Sequence, residues 1–157
     1  MQPISYLTGD ATAPAGPGPK IIAHVCNDVG AWGRGFVLAL SARWPEPEAD
    51  FRKWHREQGG KLVLGSVQFV QVAPDILVAN MIGQTGLSAV KGVPPVRYQA
   101  INGCLSGVAA IALEHGASVH MPRIGCGLAG GSWDRIEPLI VQQLSAEDVA
   151  VFVYDLA

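Results

Sequence analysis

The sequence predicts an α/β domain of three layers around a mixed, mostly parallel sheet. Short apolar segments rich in β-branched residues alternate with longer segments of helical periodicity, in the order β-α-β-β-α-β-α-β. Glycine-rich stretches directly follow three of the predicted strands, at the sheet edge where ligands bind in open α/β sheets. The length of 157 residues fits a single domain over residues 1–157.

Composition and charge narrow the class of protein. With 49% apolar and 15% charged residues, the chain is expected to fold around a core. A net charge of −2 argues against direct nucleic-acid binding and against a membrane partner. The three cysteines, Cys26, Cys104 and Cys126, contain no CxxC pair and favour reduced thiols. With neither a signal-peptide pattern nor a membrane-length apolar run, we expect a cytoplasmic location.

The predicted strands are short and apolar. They cover Ile4–Leu7, Lys20–Cys26, Leu62–Val72, Ile76–Met81, Val119–Met121 and Val149–Tyr154. Lys20–Cys26 has the composition of a buried central strand. Between the first two strands, Ala11–Lys20 contains three prolines that oppose a helix, so this segment is predicted to be a surface loop.

The predicted helices follow from apolar residues at a spacing of about 3.6. They cover Phe36–Trp44, Pro47–Gln58, Val96–His115 and Ser132–Leu144. Gly116 is expected to end the third helix, and Ser132 to cap the fourth. Pro138 is expected to confine or kink the start of the fourth helix.

Three glycine-bearing loops are predicted to form one crevice. They are Asn27–Gly35, Ile82–Gly86 and Arg123–Gly131. The third leads into a helix, and bare backbone N–H groups at a helix N-terminus suit an anion. Neither a Walker loop nor a dinucleotide fingerprint is present, so a phosphate would be held by N–H groups rather than by lysine. An ordinary tight turn is the alternative for any single loop.

Several segments together resemble the macrodomain family. The matching segments are I-x-Y-x-x-G-D near the start, AHVCNDVGAWGRGFVLAL, MPRIGCGLAGGSWDRI and the closing VFVYDL. The resemblance implies the α/β/α macrodomain fold, ADP-ribose and ADP-ribosylated proteins as partners, and no cofactor. The chain is most similar to the terminal ADP-ribose protein glycohydrolase type, and its first loop also resembles yeast-type ADP-ribose 1″-phosphate phosphatases.

At the adenine end, the resemblance implies that Asp10 accepts a hydrogen bond from the exocyclic amine and that Ala11 contributes its backbone. Tyr154 and Leu156 are expected to line the adenine pocket. The alternatives are that Asp10 only caps a turn and that the two C-terminal residues only close the sheet edge.

At the ribose and diphosphate, the implied binding residues lie mainly in two loops. Around the distal ribose they are Asn27, Gly30, Trp32, Gly33, Arg34, Gly35 and Phe36. The others are Ile82, Arg123, Ile124, Gly125, Cys126, Gly127, Leu128, Ala129 and Gly130, with the N–H groups of residues 124–131 holding the diphosphate. Core packing is the alternative for Trp32. A helix N-terminus could lower the pKa of Cys126, but the family does not use this cysteine as a nucleophile.

Two departures from the glycohydrolase type bear on catalysis. That type carries a catalytic lysine where this chain has Gln84, and an aspartate where this chain has Ala129. One interpretation is hydrolysis of ADP-ribosyl esters on acidic side chains by a water that Gln84, the ligand's phosphate or the backbone near Gly83 orients. The other is an ADP-ribose reader without catalysis.

A phosphatase is the third interpretation. His24 stands where the phosphatase-like sequences carry a histidine, and Asp28 is the nearest candidate for its partner acid. The alternative for His24 is a hydrogen-bonded core histidine. The remaining histidines have no metal-ligand spacing with a cysteine, so no metal site is predicted.

Overall fold

The computed structural model describes residues 1–157 and consists of a six-stranded sheet with helices on both faces. The strands are β1 (Ser5–Thr8), β2 (Lys20–Asn27), β3 (Val67–Ala73), β4 (Ile76–Gln84), β5 (Ser118–Met121) and β6 (Val151–Asp155). The helices are α1 (Phe36–Arg43), α2 (Glu46–Glu57), α3 (Tyr98–His115) and α4 (Trp133–Gln143), followed by a 3₁₀ turn at Ser145–Glu147. None of the helices is both long and apolar enough to cross a membrane.

The sheet has the order β1-β6-β5-β2-β4-β3. Every neighbouring pair is parallel except β3 and β4, which are antiparallel. This arrangement confirms the predicted mixed, mostly parallel sheet. The five parallel strands end at one edge, so the loops that follow them meet there.

Two hydrophobic clusters fill the spaces between the sheet and its helices. Ile21 of β2 points into a cluster with α3 and α4, while Ile22 points to the opposite face, into a cluster with α1 and α2. Adjacent side chains of a strand point to opposite faces, so a strand buried on both faces is apolar at nearly every position. The predicted three-layer architecture is therefore confirmed.

Two strand boundaries differ from the prediction by more than two residues. The segment predicted as a strand from Leu62 becomes one only at Val67, because Gly65 has a left-handed φ of 91° and interrupts the extended backbone. Strand β4 continues beyond Met81 to Gln84 because it keeps pairing with the end of β2, where Asn27 lies opposite Gln84.

Helix ends agree with the prediction more closely. Gly116 ends α3 with a φ of 62°, as predicted, while the helix begins at Tyr98 rather than Val96. Ser132 occupies the N-cap of α4 but makes no side-chain capping bond, and its carbonyl oxygen accepts the first bonds of the helix. Pro138 lies inside α4, which continues through it.

Candidate functional site

A cavity of about 500 Å³ lies at the carboxyl ends of β2, β4 and β5. Its volume is within the range of small-molecule sites. Among the predicted site residues, those that line it are His24, Asn27, Gly33, Arg34, Gly35, Phe36, Gln84, Arg123, Ile124, Gly125, Gly127, Leu128 and Ala129. The lining also includes residues that were not predicted for the site, namely Val25, Cys26, Ala31, Val37, Leu87 and Pro122. No Asp, Glu or Lys lines the cavity.

The loop after β5 contributes consecutive residues with unbonded backbone N–H groups to the lining of this cavity. Two short bonds close the loop, from Gly130 N to Gly127 O at 3.0 Å and from Gly131 N to Gly125 O at 2.7 Å. The N–H groups of Gly127, Leu128 and Ala129 have no acceptor within the chain. Successive free N–H groups in a turn form a concave anion site, which is the arrangement predicted for a diphosphate.

Two glycines make this loop possible. A Cβ atom on residue 131 would lie 2.5 Å from the carbonyl oxygen of Gly125, which belongs to backbone and cannot move aside. Gly130 has a φ of 76°, and a Cβ there would lie 2.8 Å from Pro94 Cβ. The close return of the loop on itself therefore requires glycine at position 131, and the left-handed backbone and the contact with Pro94 favour glycine at position 130.

The loop after β2 is shaped by the side chain of Asn27. Its Oδ1 accepts hydrogen bonds from Val29 N and Ala31 N at 3.1 and 3.0 Å, and its Nδ2 donates to Ala31 O at 2.8 Å. Asn27 therefore uses most of its polar atoms on the loop itself. The N–H groups of residues 33–35, just before α1, have no acceptor within the chain. They give the cavity a second set of free donors.

Gln84 and Ala129, the two departures from the glycohydrolase pattern, line the same cavity. The Nε2 of Gln84 donates to Gly86 O at 3.0 Å. Neither residue is ionisable. Neither position therefore supplies a side-chain nucleophile to the cavity.

His24 lies in the wall of the cavity but is almost completely buried. Its Nε2 is 2.5 Å from Asn80 Oδ1. Burial lowers the pKa of His24 to about 4, so the imidazole is neutral at neutral pH. The structure does not bring Asp28 to His24, because the Asp28 carboxylate accepts hydrogen bonds from Thr85 and Gly86.

The residues predicted for adenine lie outside the cavity. Asp10 Oδ1 accepts from both N and Oγ1 of Thr12 at 2.8 Å, the turn-capping arrangement given as its alternative. These bonds lower the pKa of Asp10, chiefly through the Thr12 N–H. The Tyr154 hydroxyl accepts from Ala15 N and bonds His120, so Tyr154 is a buried residue, while Leu156 is exposed. Ala11 is buried beside this turn.

Other predicted site residues, binding or catalytic, are not part of the cavity lining. Trp32 is a core residue, since its Nε1 donates to Ser41 Oγ at 2.8 Å and its ring packs on Phe51, so it does not form the predicted cavity wall. The remaining ones are Gly30, which packs on His55, Gly83, which packs on Ile101, and Ile82, Cys126 and Gly130. Burial raises the pKa of the Cys126 thiol, contrary to the lowering that a helix N-terminus could cause.

Arg123 lines the cavity in a fixed position. Its guanidinium forms two bonds with the carboxylate of Asp155, from Nε at 2.7 Å and from Nη2 at 3.0 Å. It also lies 5.1 Å from the ring centroids of Tyr6 and Trp133. These contacts leave Arg34 as the guanidinium in the lining that makes no ion pair.

Comparison with curated proteins finds relatives over nearly the whole chain, while no family model matches it. The chain is 33% identical over 168 residues to the mouse chromodomain-helicase-DNA-binding protein 1-like, of which the match covers 17%. It thus spans only a small part of that protein. It is also 24% identical over 160 residues to an ADP-ribose 1″-phosphate phosphatase of Lodderomyces elongisporus, of which the match covers 99%.

Solved structures match over the full fold. A Bacteroides thetaiotaomicron protein of unknown function is 54% identical, with a TM-score of 0.96 and 99% of each chain covered. Thermosipho africanus DarTG in complex with ADP-ribose shares the fold, with 18% identity and a TM-score of 0.76. That match covers all of this chain and 42% of the DarTG chain. A macrodomain protein from Streptomyces coelicolor is 58% identical with a TM-score of 0.86, over 98% of this chain and 99% of that one. Identity this high over nearly the whole of both chains shows that this chain belongs to the macrodomain family.

Proposed function

We propose that the cavity binds ADP-ribose, with the diphosphate on the loop after β5. The observation that carries this proposal is the row of unbonded N–H groups at Gly127, Leu128 and Ala129, all of which line the cavity. The free N–H groups of residues 33–35 supply donors for the distal ribose from the loop after β2. The fold shared with a DarTG protein in complex with ADP-ribose supports the choice of ligand.

The reaction we propose is hydrolysis of ADP-ribosyl esters on acidic protein side chains, as in the terminal ADP-ribose protein glycohydrolase type. A water oxygen bonds to the anomeric carbon while the bond from that carbon to the ester oxygen breaks. The side-chain carboxylate leaves with the electron pair, and the proton of the water passes to solvent. A carboxylate is a stable leaving group, so the step needs no side-chain acid. ADP-ribosylated cytoplasmic proteins are the proposed partners.

Gln84 is the proposed residue for orienting the water. It lies opposite Asn27 at the end of β4 and lines the cavity. Its Nε2 is bonded to Gly86 O, which leaves Oε1 to accept a hydrogen bond from water. The carbonyl of Gly83, the other predicted candidate, already accepts from Arg97 N at 2.8 Å. Orientation of the attacking water is thus assigned to Gln84 and the phosphate of the ligand.

The test is Gln84→Ala against a peptide ADP-ribosylated on glutamate. We expect kcat to fall about 10- to 100-fold, because the water loses its orienting acceptor, while the Kd for ADP-ribose stays within about 3-fold. Released ADP-ribose is measured by chromatography and the Kd by calorimetry. The control is Gln58→Ala, which removes an exposed amide at the end of α2. Unchanged turnover in Gln84→Ala would remove Gln84 from the mechanism.

A phosphatase acting on ADP-ribose 1″-phosphate is the second candidate. The Lodderomyces elongisporus relative and the place of His24 in the cavity wall favour it. The same assays with this substrate compare wild type and His24→Ala. Phosphate release that His24→Ala abolishes would favour the phosphatase. ADP-ribose binding without turnover of either substrate would show a reader.

A further inference from the structure

Asp28 is a buried carboxylate that the proposed mechanism does not use. Its relative exposure is 2%, and it forms no ion pair. Its Oδ2 accepts a hydrogen bond from Thr85 Oγ1 at 2.7 Å, and its Oδ1 accepts one from Gly86 N at 2.8 Å. A charged group removed from water is costly unless its oxygens are bonded, so these two contacts hold the carboxylate firmly in place.

These contacts join two loops that are far apart in the sequence. Asp28 belongs to the loop after β2, and its partners follow β4, with Gly86 standing 58 positions after Asp28. The carbonyl oxygen of Asp28 also accepts from Leu62 N at 3.0 Å, which fixes its backbone from the other side. The carboxylate therefore presents a fixed acceptor to the segment that directly follows Gln84.

Gly86 connects Asp28 to Gln84 through its two backbone polar groups. Its N–H is held by Asp28, and its carbonyl oxygen accepts from Gln84 Nε2 at 3.0 Å. The φ of Gly86 is 65°, a left-handed value that lets both groups point to their partners. A carbonyl oxygen only accepts, so the amide of Gln84 must turn its NH₂ group to Gly86 and keep Oε1 free.

We infer that Asp28 is a positioning residue for the proposed hydrolysis. It acts through Gly86 to fix the Gln84 amide with its oxygen available to the attacking water. Asp28 is not among the residues that line the cavity, so it acts without touching the substrate. This inference rests on the proposed function. It adds that the Asp28 carboxylate, through Gly86, sets the direction of the Gln84 amide.

Variants at two positions separate this role from general support of the loop. Asp28→Ala removes both hydrogen bonds, and we expect kcat to fall about 10- to 100-fold while KM stays within about 3-fold. Asp28→Asn keeps an acceptor for Gly86 N–H and can donate to Thr85 Oγ1, so kcat stays within about 3-fold of wild type. Asp28→Glu keeps the charge but displaces the acceptor, and kcat falls. Thr85→Ala, the matched control, removes one bond but leaves the Gly86 contact, so kcat is kept.

Amide hydrogen exchange supplies a readout that does not depend on turnover. In ¹⁵N NMR spectra of the unliganded protein, the Gly86 N–H is expected to exchange slowly in wild type, Thr85→Ala and Asp28→Asn, and quickly in Asp28→Ala and Asp28→Glu. The Gln84 side-chain amide resonances should move in the same two variants. If Asp28→Ala does not fold, the Asn and Glu variants carry the test.

The outcomes keep this inference distinct from the proposed function. Equal loss of kcat in Thr85→Ala and Asp28→Ala would overturn it, as would wild-type turnover in Asp28→Glu or slow Gly86 exchange in Asp28→Ala. A wild-type protein with no turnover would refute the proposed hydrolysis, while exchange at Gly86 would still decide whether Asp28 holds the Gly86–Gln84 segment.

Discussion

His24 is a core residue and a cavity residue at the same time. Asn80 Nδ2 donates to Pro47 O and to Gln68 Oε1, so Asn80 Oδ1 faces His24 and accepts from its Nε2–H. The imidazole also packs edge-on against Trp32, with ring centroids 5.5 Å apart. These contacts hold one neutral tautomer inside the sheet.

The pH dependence of stability tests this environment. The pKa of His24 is about 4 in the folded protein and about 6.5 in an unfolded chain. Between these pH values the unfolded state binds more protons than the folded state. The contribution of neutral, buried His24 to the free energy of unfolding is therefore complete above pH 6.5 and is lost as pH falls toward 4. Glutamine in place of His24 can still donate a hydrogen bond to Asn80. Between pH 7 and pH 5, the free energy of unfolding should therefore fall by about 2 kcal/mol less in His24→Gln than in wild type.

Urea denaturation at the two pH values measures this difference. Burial also lowers the pKa of His120 to about 4, so His24→Gln should retain a residual dependence in the same direction. If wild type and His24→Gln lose the same stability between the two pH values, His24 takes up its proton as readily in the folded state as in the unfolded chain, and its pKa is not lowered.

At the scale of the element, the two cavity loops hold their shape by different means. Side-chain bonds from Asn27 shape the loop after β2, whereas close backbone contacts shape the loop after β5. Both loops leave backbone N–H groups unbonded in residues that line the cavity.

A pair of glycine variants tests the loop after β5. Gly131→Ala would place its Cβ 2.5 Å from Gly125 O, and we expect it to cost about 1–3 kcal/mol of unfolding free energy because the clash is with backbone. Gly127→Ala meets nothing within 4 Å and should change stability by less than about 0.5 kcal/mol. Chemical denaturation measures both. Equal free energies of unfolding for Gly131→Ala and Gly127→Ala would show that the loop after β5 can open to accommodate the extra methyl group without loss of stability.

At the scale of the whole molecule, the parallel strands bring three distant loops to one edge. The site is formed only in the folded chain, so a ligand that binds there stabilises the fold. At a free ADP-ribose concentration of about 100 times Kd, the gain is about 2.7 kcal/mol, a rise in the unfolding midpoint of about 5–10 °C for a domain of this size. Differential scanning calorimetry measures this shift.

Adenosine is the control for this experiment, because it lacks the diphosphate assigned to the loop after β5. It should raise the midpoint much less than ADP-ribose at equal concentration. An unfolding midpoint that millimolar ADP-ribose leaves unchanged would contradict binding in the cavity.

The sequence alone determined much of this protein, because its strongest signals are local. The alternation of β-branched segments with helical periodicity predicted the three layers, and glycine after a strand predicted the loops at the carboxyl edge. Gly116 could be placed at the end of α3 because glycine tolerates the left-handed conformation found there. The loop residues that line the cavity were largely predicted, because they are contiguous in the chain.

The tertiary structure decided what depends on distant partners. Tyr154 is tied to the backbone of Ala15, 139 residues away, and Trp32 is buried against α1 and α2, so neither lines the cavity. The contact of Asp28 with Gly86 likewise crosses 58 residues and sets the direction of Gln84. Periodicity reports whether a residue faces the core, but the partner of a polar side chain is fixed only when the packed sheet brings two segments together.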